Sequence, residues 1–261
     1  MIRRFNRYEL KYLVDVRTAG RIRADLGELA SLDAHGGPQG YRLASLYYDS
    51  PGLDFYWAKI EGIKFRRKLR LRVYLPGDGT PPRDGLVEIK QRVNRTVRKR
   101  RLVLPLEEAE RLCAGEQPDR PLDEEDRQVA SEVCYLVQAM HLQPTAITSY
   151  RRVAYVGGRY DRGLRVTLDY DCRGRDHALE VDLDAQDHPF LPPDVVVLEV
   201  KADEVVPDWV TSLLARHNCH LQRLSKYCAA LARARGLAYT VATPASAAAS
   251  PEPSCSASWS S

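Results

Sequence analysis

The sequence predicts an α+β fold built on an antiparallel sheet. Eight or nine segments alternate polar with apolar residues, short turns join most of them, and helical patterns fall between sets of strands rather than after each one. A doubly wound nucleotide-binding sheet needs a helix after every strand, so it is disfavoured. No G-x-x-x-x-G-K-[ST] or G-x-G-x-x-G motif is present to argue for one.

Arg7 to Val14 alternates charged with apolar or aromatic residues and reads as the first strand. Thr18 to Leu32 reads as a short amphipathic helix, with Ile22, Leu26, Leu29 and Leu32 on one face and Gly36-Gly37-Pro38 as the turn that follows. Strand patterns come next at Tyr41 to Tyr48, Ile63 to Leu75, Leu86 to Arg92 and Thr96 to Leu104, with turns at Asp78 to Pro82 and at Val93-Asn94. Pro105 to Cys113 and Asp123 to His141 carry helical spacing, the second through Val129, Val133, Leu136, Val137 and Met140. Strands return at Ala146 to Val156, Leu164 to Tyr170, Ala178 to Leu183 and Val195 to Lys201. Pro207 then opens one long helix that runs to about Arg235 and ends at Gly236. Residues 237–261, rich in Ala, Ser and Pro with almost no charge, are expected to be a disordered tail outside a single domain of residues 1–236.

Composition narrows the function classes. The chain has 261 residues, 44% of them hydrophobic and 28% charged, which suits a globular domain with a real core. No apolar run approaches the ~18 residues a membrane span needs. The basic stretch from Met1 to Lys11 leads into no apolar segment or cleavage site, so a cytoplasmic location is expected. Cys113, Cys134, Cys172, Cys219, Cys228 and Cys255 are scattered without a C-x-x-C pair and read as free thiols. His217, Cys219 and His220 are spaced poorly for convergent zinc ligands. The net charge of +4 argues for no particular partner, but its distribution is informative. Basic residues crowd the stretch from Lys59 to Arg72, where Glu61 is the one acid, and the stretch from Lys90 to Arg101, which has none.

Successive side chains of a strand point to opposite faces. That rule puts Arg66, Lys68, Arg70 and Arg72 on one face, opposite Phe65, Leu69, Leu71 and Val73, with Arg67 as the exception. It likewise sets Glu88, Lys90 and Arg92 opposite Val87 and Ile89, and Tyr150 and Arg152 opposite Val153. Lys99 and Arg101 share a face, Arg165 and Asp169 oppose Leu164, Val166 and Leu168, and Glu199 and Lys201 oppose Val196, Leu198 and Val200. A solvent-facing surface usually mixes signs. Faces that are repeatedly Arg and Lys repel one another unless they line something concave that holds an anion. A closed or nearly closed sheet with a cationic interior fits, and Arg forks and Lys ammonium groups at several heights suit a run of phosphates. The dyad Glu-x-Lys recurs at Glu9/Lys11, Glu88/Lys90 and Glu199/Lys201. Each dyad is either a same-face ion pair that tempers repulsion or the seat of a divalent metal bridging phosphate oxygens.

Arg7-Tyr-Glu-Leu-Lys-Tyr, Tyr47-Tyr-Asp-Ser-Pro, Lys68-Leu-Arg-Leu-Arg-Val-Tyr, Val87-Glu-Ile-Lys, Arg98-Lys-Arg-Arg, Ser149-Tyr-Arg-Arg, Leu164-Arg-Val-Thr-Leu-Asp, Val197-Leu-Glu-Val-Lys and Leu224-Ser-Lys-Tyr occur in this order. Together, over roughly Arg4 to Gly236, they resemble the polyphosphate polymerase (VTC) domain of the vacuolar transporter chaperone proteins, within the CYTH-like triphosphate tunnel group. The resemblance implies an eight-stranded antiparallel β-barrel tunnel with a basic interior, flanked by helices. It implies a metal-dependent ATP-driven polyphosphate polymerase that transfers the γ-phosphate of ATP to a growing inorganic chain.

By position, the resemblance makes Lys11, Arg70, Arg72, Lys90, Lys99, Arg152, Arg165 and Lys226 phosphate ligands, with Tyr150 and Ser225 as supporting donors. Lys226, Arg152, Arg70, Arg72 and Lys90 form its catalytic set, and Glu199 is the ligand of Mn²⁺ or Mg²⁺. Lys226 lies in the predicted last helix, outside the reach of the strand argument. One departure stands out: where CYTH-type triphosphatases resemble Glu-x-Glu-x-Lys in the first strand, Arg7 replaces the first acid. That implies weaker metal binding at the tunnel mouth and the polymerase branch. The alternatives are an inorganic or nucleoside triphosphatase of the same fold, and a non-catalytic polyphosphate-binding module. Nucleic acid is not an expected partner, because the basic strands lack the aromatic interleaving of a base-stacking platform.

Overall fold

The computed structural model describes residues 7–78, 80–94, 96–181 and 187–244. Its centre is one antiparallel ten-stranded sheet. The strands are β1 (Arg7–Asp15), β2 (Ser31–Leu32), β3 (Tyr41–Asp49), β4 (Phe65–Leu75), β5 (Asp84–Val93), β6 (Thr96–Pro105), β7 (Gln143–Val156), β8 (Arg165–Arg175), β9 (His188–Pro189) and β10 (Val195–Asp203). The main path runs β1-β10-β8-β7-β3-β4-β5-β6, while β2 pairs with β7 and β9 with β8. Among the described residues the two ends of that path, β1 and β6, share no ladder, so the backbone there does not close the barrel. Side chains cross the seam instead: Lys90 Nζ on β5 lies 2.5 Å from Glu9 Oε2 on β1. The free edge of β1 is further covered by the segment before the last helix, through a bridge between Tyr12 and Leu221 and a 2.7 Å bond from Gln222 N to Lys11 O.

The apolar face of each strand is the outer one, and helices cover it. On one side Leu69, Leu71, Val87, Ile89, Leu102 and Leu104 pack under α3 (Leu106–Cys113) and α4 (Glu124–Met140). On the other, Val166, Leu168, Leu198 and Val200 pack under α1 (Val16–Leu29) and α5 (Asp208–Arg216). Each such buried aliphatic side chain stabilises the fold by about 1.5–3 kcal/mol. At Gly85 the contact is so close that an added Cβ would lie 2.6 Å from Ala109 Cβ of α3. Carboxylates cap the helices: Asp15 accepts from the amides of Arg17 and Thr18, and Asp123 from that of Asp126. A third cluster, with Tyr47, Tyr56, Tyr227 and Leu231, seats α2 (Asp54–Ile60) and α6 (Lys226–Arg235) at one end of the sheet. Among the described residues no helix is long and apolar enough to cross a membrane. Cys113, Cys134, Cys172, Cys219 and Cys228 are free thiols; Cys255 lies outside the described residues.

Several expectations need correction. The single long helix after Pro207 is two, α5 and α6, because Asn218 takes a left-handed conformation (φ 50°) and the chain then runs along β1 before Ser225 caps a new start. The strand expected at Ala178 to Leu183 is absent over 178–181, and residues 182 and 183 lie outside the described residues. There the Arg175 guanidinium takes the carbonyls of Ala178 and Glu180, which a ladder would otherwise use. The end of the predicted first helix, Ser31–Leu32, pairs with β7 as β2. Helix α2 had no strong sequence signal, being short and held from a distance by Asp49, whose carboxylate accepts from the amides of Phe55 and Tyr56. The fold also continues past Gly236, where Leu237, Tyr239 and Val241 pack on it and the Tyr239 hydroxyl accepts from Ser225 N at 2.8 Å. The rest of the expected tail, residues 245–261, lies outside the described residues.

Candidate functional site

The concave face gathers the charged side chains that strand alternation selects. Along β4, β5 and β6 the register sets Arg66 beside Arg92, Lys68 beside Lys90 and Lys99, Arg70 beside Glu88 and Arg101, and Arg72 beside Leu86 and Val103. Across the channel, β1 and β10 pair Glu9 with Lys201 and Lys11 with Glu199. From β8 and β7, Asp169 and Arg152 pair in register. Tyr150 shares the inward parity of Arg152, whose guanidinium lies 5.2 Å from its ring, and it sits at an irregularity where β7 loses register with β8.

The most buried cluster centres on Asp169, which is fully buried. Its carboxylate receives Arg152 in two-pronged fashion at 2.6 and 2.8 Å, and Lys226 Nζ at 2.5 Å. Burial alone would raise the Asp169 pKa, but Arg152 and Lys226 outweigh it and hold it at about 2. Burial likewise works against the charge of Lys226, and Asp169 raises its pKa above the usual lysine range. Arg152 Nη2 also lies 3.7 Å from Glu199, whose other oxygen is 3.3 Å from Lys201 Nζ. Tyr150 OH accepts from Arg72 Nη2 at 3.2 Å, and its ring lies 4.6 Å beneath Lys226 Nζ.

A second cluster forms around Glu88. Its oxygens take Arg70 (2.5 Å), Lys99 (2.5 Å) and Arg101 (2.7 Å). Despite burial, Arg70, Arg72 and Lys99 hold its carboxyl far below the usual range. The Glu88/Lys90 dyad is therefore not the ion pair that the repeat suggested, since Lys90 crosses the seam to Glu9. Glu9/Lys11 (3.2 Å) and Glu199/Lys201 (3.3 Å) do pair within their strands. Lys68 Nζ reaches Ser225 Oγ at 2.6 Å, joining the channel wall to the first turn of α6. Every one of these carboxylates is shared by at least two cations, so the channel keeps a positive excess that only an anion can balance.

The VTC domain profile matches residues 6–235. The chain belongs to the VTC domain family. No curated protein matches this VTC domain in sequence. Among solved structures it is similar to a candidate adenylate cyclase (bh2851) from Bacillus halodurans, at 13% identity over 83% of this chain and 93% of that one, with a TM-score of 0.46. It is also similar to HpAC1 from Hippeastrum, described with a dominant triphosphatase activity, at 12% identity over 87% of this chain and 95% of that one, with a TM-score of 0.45. These likenesses carry no functional inference. The antiparallel sheet of this VTC domain presents a basic concave face, and among the described residues its seam is open at the backbone level.

Of the residues singled out by sequence, Lys11, Arg70, Arg72, Lys90, Lys99, Tyr150, Arg152, Glu199, Ser225 and Lys226 come together around the tunnel. Arg165 shares their strand face but is drawn to the rim, where its guanidinium lies 2.5 Å from Asp33 and 3.0 Å from Tyr41 OH. Alternation had marked Lys68, Arg101 and Asp169 as inward without assigning them a role, and Glu88 and Lys201 as inward members of the Glu-x-Lys dyads. Ser45 and Tyr47, which hydrogen-bond Arg72 and Arg70, were missed because neutral residues on β3 break no charge pattern. The parity they share on β3 was the available signal.

For a divalent metal the donor set is small but suitable. Glu199 and Glu9 lie near enough to raise each other's charge cost, yet both stay ionised: lysines overcome burial and keep Glu9 at about 2, and they hold Glu199 well below its usual range. The Thr167 hydroxyl, paired across the ladder with Glu199, is buried with no hydrogen-bond partner among the described residues. Among those residues no group of three or more His, Cys, Asp or Glu forms an all-protein cage. Magnesium-like ions bind through one or two carboxylates with substrate phosphates completing the shell, and these residues fit that pattern.

Proposed function

We propose that this VTC domain is a polyphosphate polymerase that moves the γ-phosphoryl group of ATP onto an inorganic phosphate chain lying in the same tunnel. The observation that carries the reading is the length of the cationic row. From Arg66 to Arg72 the inward face of β4, matched by Lys90, Arg92, Lys99 and Arg101, extends for about 20 Å at the usual strand rise, longer than three phosphates need.

The donor triphosphate lies against Arg72, Arg152 and Lys226, with Tyr150 donating beside them. The acceptor chain lies along Lys68, Lys90 and Lys99. As a terminal oxygen of the acceptor chain bonds to the γ-phosphorus, the bond from that phosphorus to its bridging oxygen breaks, ADP leaves with the bridging oxygen, and negative charge spreads over the equatorial and leaving oxygens. Guanidinium and ammonium groups already fixed by Asp169 and Glu88 meet that charge with little reorganisation, so positioning and charge neutralisation supply the catalysis and no covalent enzyme intermediate is required. A divalent cation, Mn²⁺ or Mg²⁺, held by Glu199 with Glu9 beside it, supplies further neutralisation of phosphate oxygens when bound.

The test is to incubate the protein with ATP and Mn²⁺, resolve chains on a gel stained for polyphosphate, and assay free phosphate in parallel. Long chains that vanish in Lys226→Ala and Glu199→Ala are the expected result. Free phosphate without chains would assign a triphosphatase, and tight triphosphate binding with neither product would assign a binding module.

A further inference from the structure

A cavity of about 370 Å³ lies where β4 turns into β5. Its walls include Tyr74, Leu86, Val103 and the prolines Pro76, Pro81 and Pro82. This is the apolar end of a face that is otherwise cationic. Along β4 the inward positions run Arg66, Lys68, Arg70, Arg72 and then Tyr74, while their partners on β5 run Arg92, Lys90, Glu88 and then Leu86. Val103, facing Leu86 from β6, is 53% exposed and Tyr74 is 41% exposed, so apolar surface is presented to whatever enters there.

We propose that this cavity holds the nucleoside of a nucleoside triphosphate whose phosphates lie in the tunnel, so that the ring rather than the triphosphate alone selects the donor. The inference rests on the triphosphate reading given above. Its size falls in the range of small-molecule sites, which are mostly apolar with a few polar groups, and here Thr80, Arg83 and Asp84 offer those groups at the rim. The Tyr74 ring is held in place by an edge-to-face contact with Tyr41, at 5.4 Å and 63°. A fixed aromatic ring gives a planar base a surface to stack on without ordering a loose side chain.

Continuity with the phosphate-binding face decides the occupant. Leu86 is the ladder partner of Arg72, and Arg72 reaches the Asp169 cluster through Tyr150. Glu88 and Arg101 follow one pair deeper, about 7 Å along the strands. A molecule that is apolar and planar at one end and polyanionic at the other therefore matches this face end for end. An inorganic phosphate chain matches only the cationic part and leaves the apolar mouth unfilled.

Calorimetric titration of the full chain with ATP, CTP and inorganic triphosphate tests the proposal. ATP is expected to bind about tenfold more tightly than inorganic triphosphate, the value of one stacked base. Tyr74→Ala is expected to remove that advantage and leave triphosphate binding within twofold, while Tyr74→Phe retains it. Val103→Ser, at an exposed position, is a second probe should Tyr74→Ala fold poorly, and it should weaken ATP alone. Equal affinity for ATP and inorganic triphosphate in the unsubstituted protein, or an equal loss of both in the variants, overturns the proposal. Binding of neither ligand overturns the triphosphate reading itself.

Discussion

Lys90 and Glu9 stand on strands that share no backbone hydrogen bond, yet their side chains meet at 2.5 Å across the seam of the sheet. Glu9 also takes Lys11 at 3.2 Å, so one carboxylate restrains two ammonium groups that point into the tunnel.

That restraint competes with an anion. Glu9→Gln is expected to tighten metal-free binding of inorganic triphosphate by about fivefold, the equivalent of ~1 kcal/mol for a partly exposed ion pair. It should also weaken the response of that binding to Mn²⁺. Titration calorimetry with and without the metal reads both effects. Weaker metal-free binding in the variant would mean that Glu9 organises the lysines for phosphate and does not compete with it.

Asp169 is the opposite case, a buried acid whose removal strands its partners. Asp169→Asn leaves Arg152 and Lys226 close together with their main counter-charge gone. Breaking a buried pair in this way costs roughly 3–5 kcal/mol, which urea unfolding would measure. Inorganic triphosphate should recover more stability in the variant than in the parent protein, because it supplies the missing negative charge. Equal recovery in both would show that the ligand does not reach this cluster.

Binding should also depend on pH in a direction fixed by two lysines. Burial outweighs Glu88 and pulls Lys99 down to about 8, and burial outweighs Glu199 and does the same to Lys201. Between about pH 8 and the ordinary lysine value of 10.5 the folded protein therefore carries fewer protons than the unfolded chain, and this part of its stability rises with pH. Triphosphate affinity moves the other way, falling as the two ammonium groups deprotonate. At pH 8 to 9, binding is expected to draw about one proton from solution, visible as a buffer-dependent heat. The double variant Lys99→Arg, Lys201→Arg should abolish that uptake. On the acid side, Asp169 and Glu9 contribute stability that is present above their unfolded values and lost as pH falls through about 2.

The inward face of the sheet was legible because it follows from alternation alone. Lys68, Arg70 and Arg72 share a parity in the sequence, and they share a face in the fold. The split of the last helix was not legible in the same way. Asn218 and the Tyr12–Leu221 bridge interrupt a segment whose spacing is helical throughout, and what favours the break is the free edge of β1, more than two hundred residues away. Only after that break does Ser225 meet Lys68 and Lys226 meet Asp169.

The family motifs, the antiparallel α+β class and the set of inward cations were determined by the sequence itself, since strand periodicity is a local property of the chain. Tertiary structure alone decided which charge meets which: that Glu88 takes Arg70, Lys99 and Arg101, and that Lys90 leaves it for Glu9. It alone left the barrel open between β1 and β6 and set Tyr74 at the apolar mouth. The physical reason is that Coulomb energy depends on distance in space and on burial, and both are set by how the sheet curls rather than by spacing along the chain.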